Sequence, residues 1–241
     1  MMERLAALQK AALGKDAEGV ISWAISEFGV DRVALASSFS IEDQAITHMA
    51  WSHNRKARVL TLDTGRIFQE TYDVMQETKE KYSMTIEECF PDAGDVASMV
   101  EEKGPNLFYL SVENRQLCCD IRKVRPLRKK LASVDAWITG QRRDQSVTRS
   151  GLEVVEWDAQ FEIVKINPLA AWTEDQVWDY VKKNTVPFNR LYKTGFRSIG
   201  CAPCTRAVNK GEDVRSGRWW WESPDHKECG LHNRPHPNSP A

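Results

Sequence analysis

Short β-type runs that alternate with helical stretches are the feature that most restricts how this chain can fold. The runs are RVALA (32–36), ARVLTL (57–62), MTIEECF (84–90) and DAWITG (135–140), followed later by EVVEWD and FEIVKINPL. Such alternation is typical of βαβ units, in which parallel strands are covered by the helices that connect them. The sequence therefore predicts an α/β domain with a mainly parallel sheet flanked by helices.

Two helix starts carry capping signals, and one long segment later in the chain has little of the periodicity of helices or strands. Ser40 with Asp43, and Thr173 with Gln176, have the spacing of capping boxes. Residues 185–217 contain turn formers and few periodic runs. We expect this segment to be rich in loops, which often bear functional residues.

Length and charge exclude several classes of function. The chain has 241 residues, enough for a full core without disulfides, and its formal net charge is -1. No overall field would attract nucleic acid or an anionic membrane, and no apolar run is long enough to span a bilayer. Six cysteines without a secretory signal favour metal, cluster or catalytic roles in a reducing compartment, so we expect a cytoplasmic protein.

Four of the cysteines form two close pairs. Cys118 and Cys119 are adjacent, whereas Cys201 and Cys204 have the spacing of two thiolates that meet one metal centre. Neighbouring side chains on a helix diverge by about 100 degrees, which suits ligation of separate irons in a 4Fe-4S cluster better than convergence on one zinc ion. Zinc, a redox-active pair and unrelated buried thiols remain as alternatives. Lys123 would share a helix face with Cys119 and lie within a turn of such a cluster.

The remaining cysteines differ in their neighbours. Cys229 has cations nearby, which would lower the pKa of its thiol and make it a candidate nucleophile; these are Lys227, His226, His232 and Arg234. The alternative is an exposed cysteine without a function. Cys89 lacks such neighbours and is interpreted as a small buried hydrophobic residue.

Polar segments follow two of the predicted strands and indicate an anion site. Ser37, Ser38 and Ser40 lie in a turn that leads into a helix, although the glycines of phosphate-wrapping loops are missing. Basic residues that could reach the same sheet edge are Arg142, Arg143, Arg149, Arg215 and Arg218. Guanidinium groups match phosphate and sulfate oxygens, so an anionic nucleotide is the expected ligand.

These motifs together resemble the assimilatory adenylyl-sulfate (APS) reductases of bacteria and plants, members of the sulfonucleotide reductase family. The segments, in order, are SSFSIED, LDTGR, Cys-Cys followed by RKVRPL, TGQRRDQS, KINPLAAWTEDQVWDY, IGCAPCTR, GRWWWE and KECGLH. The resemblance runs from about Ser37 to His232. It implies an adenine nucleotide α-hydrolase-like fold and the thioredoxin-dependent reduction of APS to sulfite and AMP.

The resemblance also implies roles for individual residues. Cys229 matches the nucleophile that attacks the sulfate sulfur and becomes an S-sulfocysteine, which a thiol of thioredoxin then cleaves. The ligands of a 4Fe-4S cluster are matched by Cys118, Cys119, Cys201 and Cys204. Contacts to the sulfate and phosphate are matched by Lys123, Arg215, Arg218 and His232, with Lys123 and His232 assigned to catalysis. The nucleotide pocket is matched by Ser37, Ser38 and Leu62, to which we add Arg143 from the basic segment after the fourth strand.

Two rival functions and a domain division complete the expectations. The related phosphoadenylyl-sulfate (PAPS) reductases typically lack the four ligand cysteines, and a zinc-stabilised nucleotide-binding protein would show no turnover. We expect a nucleotide- and cluster-binding domain over 1–217 and a mobile segment over 218–241 that carries Cys229. No thioredoxin-like appendage follows His232, so thioredoxin would be a separate partner. We do not expect binding to nucleic acid or to a membrane. A homo-oligomer is compatible with the sequence.

Overall fold

The computed structural model describes residues 2–146, 149–223 and 231. Within these ranges the chain forms six strands and eight α-helices. The strands are β1 (Val33–Ser37), β2 (Arg58–Leu62), β3 (Ile86–Cys89), β4 (Ala136–Ile138), β5 (Val155–Asp158) and β6 (Ile163–Ile166). The helices are α1 (Met2–Ala12), α2 (Ala17–Phe28), α3 (Ile41–His53), α4 (Gln69–Tyr82), α5 (Ala93–Lys103), α6 (Val112–Cys119), α7 (Arg125–Leu131) and α8 (Glu174–Lys183).

The six strands form one mixed sheet in the order β3-β2-β1-β4-β6-β5. All neighbouring pairs are parallel except β5 with β6, which is antiparallel at the edge. The chain moves from β1 to β2 and β3 on one side and returns to β4 on the other. The connections therefore change direction between β1 and β4, which is where open α/β sheets bind ligands.

Alternate side chains of the central strands pack into cores on opposite faces of the sheet. Val33 and Leu35 of β1 belong to a core with residues of α1, α2, α3, α4 and α8. Ala34, between them, packs on the other face with Leu127 and Leu131 of α7. Because side chains of a strand alternate between its faces, two helical layers enclose this strand. The predicted α/β fold with helices on both faces is confirmed.

The two predicted capping boxes differ in outcome. At α8, Thr173 accepts from the backbone N–H of Gln176, and the Gln176 side chain accepts from the N–H of Thr173. At α3, Ser40 accepts from the N–H of Asp43, as predicted, but the Asp43 carboxylate accepts instead from Ser38. The capping box of α8 is therefore complete. At α3 only half of the box forms, because the Asp43 carboxylate bonds to Ser38 of the preceding loop and not to the N–H of Ser40.

The helix that carries the adjacent cysteines changes its winding just after them. Residues Asp120–Val124 form a π-helical stretch between α6 and α7, with the N–H of Arg125 donating to the carbonyl of Asp120. Pro126 follows within the first turn of α7. Proline lacks an N–H and its ring would clash with the carbonyl four residues earlier, so the wider turn accommodates it. The stretch after Cys119 is therefore not a regular α-helix, but Cys119 and Lys123 still line one cavity, as the prediction required.

Among the described residues, no helix combines the length and the apolar character that crossing a membrane would require.

Candidate active site

A cavity of about 230 Å³ opens at the carboxyl edge of the sheet. It is called here the nucleotide cavity, after the ligand that the sequence predicts at this edge. Its wall includes Ser37 at the end of β1, Leu62 at the end of β2 and Thr139 just after β4. These positions flank the point where the strand connections change direction. The predicted substrate-binding and catalytic residues that line it are Ser37, Ser38, Leu62, Lys123, Arg215 and Arg218.

The serine loop at the end of β1 is held by its own hydrogen bonds. The backbone N–H and the hydroxyl of Ser38 both donate to the Asp43 carboxylate, each at 2.7 Å. The N–H of Phe39 donates to the hydroxyl of Ser37 at 3.1 Å, and Phe39 has φ of 58° with its ring buried. A left-handed conformation at a bulky residue is costly and persists only where its surroundings impose it. The backbone N–H groups of Ser38 and Phe39 are therefore already bonded within the loop and are not free to bind a phosphate.

Asp43 is a buried carboxyl at the nucleotide cavity. Burial raises its pKa to about 6, although hydrogen bonds from Ser38 and Ser40 act in the opposite direction. Gly140 approaches it from the end of β4, since a Cβ atom there would lie 2.3 Å from Asp43 Oδ1. Only glycine fits this contact between the serine loop and β4.

The arginines after β4 take different positions. Arg142 is buried and its Nη2 lies 2.9 Å from Glu42 Oε1, while Arg149 lines the nucleotide cavity. Arg143 donates from Nε to the carbonyl of Leu152 at 2.7 Å. Within the described part of the chain, Arg143 is not among the residues that line the cavity. Its role in substrate binding stays a prediction that the geometry does not support.

All four paired cysteines line a second, smaller cavity, called here the cysteine cavity. Cys118 and Cys119 reach it from the end of α6, and Cys201 and Cys204 reach it from a single 3₁₀ turn. In the described residues no group of three or more His, Cys, Asp or Glu side chains is placed to hold a metal ion. The four thiols share one cavity without converging on one point.

Positive charge surrounds the cysteine cavity. Five cationic side chains line it, and none of the residues described in its wall is a carboxylate; the cations are Arg66, Arg115, Arg122, Lys123 and Arg218. Arg122 Nε, Arg218 Nε and Trp219 Nε1 are buried and lack an acceptor among the described residues. Buried N–H groups are almost always hydrogen-bonded, because an unsatisfied one costs about 1–3 kcal/mol. The wall therefore fits an anionic group that offers several acceptor atoms.

Three residues belong to the walls of both cavities. They are Lys123, Cys201 and Arg218. Arg218 lies directly over Gly200, where a Cβ atom would come within 2.3 Å of its Nη2. Thr64, just after β2, places its hydroxyl 3.3 Å from the sulfur of Cys201. The two cavities are thus joined by cations and by one cysteine.

The described cysteines are all free thiols. Burial raises the pKa of Cys204 to about 12 and also raises the pKa of Cys118, while Arg122 and Lys123 act on Cys118 in the opposite direction. The thiolate forms would need a strong positive partner in this cavity. Cys89 is buried in the core beneath α7, as predicted.

A family profile described as the phosphoadenosine phosphosulfate reductase domain matches residues 32–207. The chain belongs to this family. A protein of Burkholderia cepacia named adenosine 5'-phosphosulfate reductase is 51% identical over 202 residues, which cover 84% of this chain and 81% of that protein. A protein of Allochromatium vinosum with the same name is 46% identical over 205 residues, covering 85% and 80% of the two chains.

A solved structure shows the same fold in this family. The phosphoadenylyl-sulfate reductase of Candida auris, crystallised as a phosphate complex, matches with a TM-score of 0.72 and 27% identity. The match covers 86% of this chain and 98% of that chain. The expected fold and the resemblance to sulfonucleotide reductases are confirmed.

Two of the predicted catalytic residues, Cys229 and His232, lie outside the described residues. Leu231, which lies between them in the sequence, lines the nucleotide cavity and packs against the core that contains Leu127 and Trp137. The catalytic roles of Cys229 and His232 stay predictions.

Sequence reasoning missed a buried ion pair beside the cysteine cavity of this family member. Arg115, on α6, donates from Nε and Nη2 to the two carboxylate oxygens of Glu222 at 3.0 and 2.8 Å. Its guanidinium also lies 4.8 Å from the ring centre of Trp219. Arg115 precedes the cysteine pair by one helical turn, but its partner is 107 residues away, so no local spacing could reveal the pair.

Proposed function

We propose that this protein reduces adenosine 5'-phosphosulfate to sulfite and AMP, with thioredoxin as the electron donor, in assimilatory sulfate reduction. The observation that carries the proposal is the junction of the two cavities. Lys123, Cys201 and Arg218 belong to both walls, so a four-cysteine site adjoins a cationic cavity at the ligand-binding edge of the sheet. The names of the relatives at 51% and 46% identity support the same activity.

The proposed reaction begins with the thiolate of Cys229. It attacks the sulfate sulfur, so that an S–S bond forms while the bond from sulfur to the bridging oxygen breaks, and the electron pair leaves with AMP. A thiolate of thioredoxin then attacks Cys229 Sγ and displaces sulfite. The second thioredoxin thiol resolves the resulting mixed disulfide, which leaves Cys229 reduced and thioredoxin oxidised.

Cations of the nucleotide cavity would support the first step. Negative charge grows on the bridging oxygen as AMP departs, and preorganised donors stabilise such charge most strongly in a site that excludes water. Lys123, Arg215 and Arg218 line the cavity and are the candidates for this task. His232 is the proposed further catalytic residue.

The four-cysteine site fits a 4Fe-4S cluster better than a zinc ion. Cys118, Cys119, Cys201 and Cys204 would hold it, each on a separate iron, so their sulfurs need not converge on one point. The cations and the unsatisfied N–H groups of this wall match the anionic, sulfide-rich surface of such a group. When bound, it would supply a fixed metal–thiolate centre beside the nucleotide cavity, while both electrons for sulfite come from thiols.

Reduction of PAPS is the second candidate function. The Candida auris structure that matches at a TM-score of 0.72 is named for that activity. The two activities differ by the 3'-phosphate of the substrate, so one assay with both nucleotides separates them.

Several features of the proposal concern the whole protein. We place Cys229 on the C-terminal segment over 218–241, whose first residues, including Trp219 and Glu222, pack against the domain over 1–217. The free thiols of the described cysteines suit a reducing, cytoplasmic location.

The test is anaerobic purification followed by an iron count, a visible spectrum and sulfite assays with APS and PAPS in the presence of reduced thioredoxin. We expect about four iron atoms per chain and a faster reaction with APS. Cys229→Ser should release no sulfite while it still binds AMP and iron, and Cys89→Ser serves as the matched cysteine control. Full activity of Cys229→Ser would contradict the assigned nucleophile, and preference for PAPS would favour the second function.

A further inference from the structure

One polar side chain in the wall of the nucleotide cavity has no partner for its carbonyl oxygen. Gln141 is 4% exposed, and its Oε1 is buried without a hydrogen-bond donor among the described residues. It follows Gly140 just after β4 and lines the nucleotide cavity. A buried carbonyl oxygen left without a donor is unfavourable, so this atom indicates a ligand group that donates to it.

The neighbouring polar side chains do have partners. The hydroxyl of Thr139 donates to Asn167 Oδ1 at 2.5 Å. Arg142 and Gln145 both donate to Glu42 Oε1, at 2.9 and 3.0 Å. Gln141 therefore differs from the groups around it, which are already fixed by the protein.

The chemistry of the proposed substrate limits what can reach an acceptor. At neutral pH the phosphate and sulfate groups are ionised and offer no hydrogen to donate. The donors of a sulfonucleotide are the 6-amino group of adenine and the hydroxyl groups of the ribose. An acceptor in this wall is thus suited to the nucleoside part, whereas the cations of the same cavity suit the anionic part.

We propose that Gln141 binds the nucleoside of the substrate, accepting a hydrogen bond at Oε1 from the adenine amino group or from a ribose hydroxyl. The inference rests on the proposed function, since it assumes an adenine nucleotide in this cavity. A site built to accept a hydrogen bond discriminates strongly against an analogue that lacks the donor. If the donor is the 3'-hydroxyl, Gln141 also disfavours PAPS, which carries a phosphate there.

The test compares nucleotide binding by the wild-type protein and by Gln141→Leu, using isothermal titration with four ligands. These are AMP, purine riboside 5'-monophosphate, 2'-deoxy-AMP and 3'-deoxy-AMP, so each analogue removes one donor. We expect the wild type to bind one analogue about tenfold or more weakly than AMP. In Gln141→Leu this difference should shrink to about threefold or less, because AMP loses the same hydrogen bond.

The identity of the weakened analogue distinguishes the amino group from the two hydroxyls. An unchanged ratio of AMP to every analogue in Gln141→Leu, or a wild type that binds none of the four ligands, would overturn the inference. If Gln141→Leu does not fold, Gln141→Asn, which shortens the side chain, must show the same loss of discrimination. Sulfite release is not the readout, so a wild type that shows the expected binding but makes no sulfite contradicts the proposed function alone.

Discussion

The nucleotide cavity and the cysteine cavity share a wall but are built in different ways. The nucleotide cavity lies at the carboxyl ends of β1, β2 and β4, and most of its polar groups are bonded within the protein, such as Ser38 to Asp43 and Arg142 to Glu42. The cysteine cavity is formed by the end of α6, the π-helical stretch and a 3₁₀ turn, and it leaves Arg122 Nε and Trp219 Nε1 without acceptors among the described residues.

This difference indicates which ligand stays and which one leaves. Donors that find no acceptor in the protein favour a group that is bound permanently, because its loss would cost about 1–3 kcal/mol for each of them. In the nucleotide cavity Gln141 Oε1 also lacks a donor among the described residues, but the polar groups around it are already bonded and hold their positions when a ligand departs. We infer that the cysteine cavity belongs to a resident group and the nucleotide cavity to a substrate that turns over.

The largest expected effect comes from removing one of the four paired thiols. Cys204→Ala should lose the bound iron and the activity, because three thiolates would leave one iron without its ligand. AMP binding should persist if the nucleotide cavity holds its shape independently. Iron analysis, the visible spectrum and titration with AMP measure the three properties.

Cys89→Ala is the matched control, since Cys89 is also buried beneath α7 but is not among the described residues that line either cavity. It should keep iron and activity. Retention of iron by Cys204→Ala would contradict the proposed ligand set, and loss of AMP binding would show that the two cavities depend on each other.

The next effect concerns the cation shared by both walls. Lys123→Ala should lower kcat/KM for APS by roughly a hundredfold, the usual consequence of removing one donor to a developing negative charge. The thermal stability should change little, because the Lys123 side chain lines cavities instead of the core. Lys129→Ala, on the exposed side of α7, should behave like the wild type. Equal rates for the two variants would reject the assignment.

The fold could be predicted because its information is local. Apolar runs such as that of β1, and the capping residues of α8, specify their elements within a few positions, and alternation of strands and helices then limits the topology. The grouping of the cysteines into two pairs was also visible, because residue type and spacing both carry chemical meaning.

The remaining parts of the site depend on contacts between distant segments. Arg115 pairs with Glu222 across 107 positions, and Arg218 lies over Gly200, so neither contact leaves a spacing in the sequence. The basic segment after β4 shows the opposite problem. Its arginines look equivalent in the sequence. In the structure Arg142 binds Glu42 and Arg143 binds the carbonyl of Leu152, so only the fold distinguishes their roles.

The smallest expected effect tests how the nucleotide cavity keeps its shape. The pKa of Asp43 is raised by burial from 3.8 to about 6, so the folded protein holds this proton at pH values where the unfolded chain releases it. The contribution of Asp43 to the stability of the wild type should therefore fall as the pH rises from about 4 to about 6, by about 2 kcal/mol. Asp43→Asn cannot ionise, so its free energy of unfolding relative to the wild type should rise over the same interval, as measured by urea unfolding at a series of pH values.

Asp135→Asn is the control of opposite sign, because a hydrogen bond from Arg32 lowers the pKa of Asp135 and its contribution to stability is lost as the pH falls. A relative stability of Asp43→Asn that does not change with pH would mean that Asp43 is solvated, and that the serine loop does not close the cavity as its hydrogen bonds indicate.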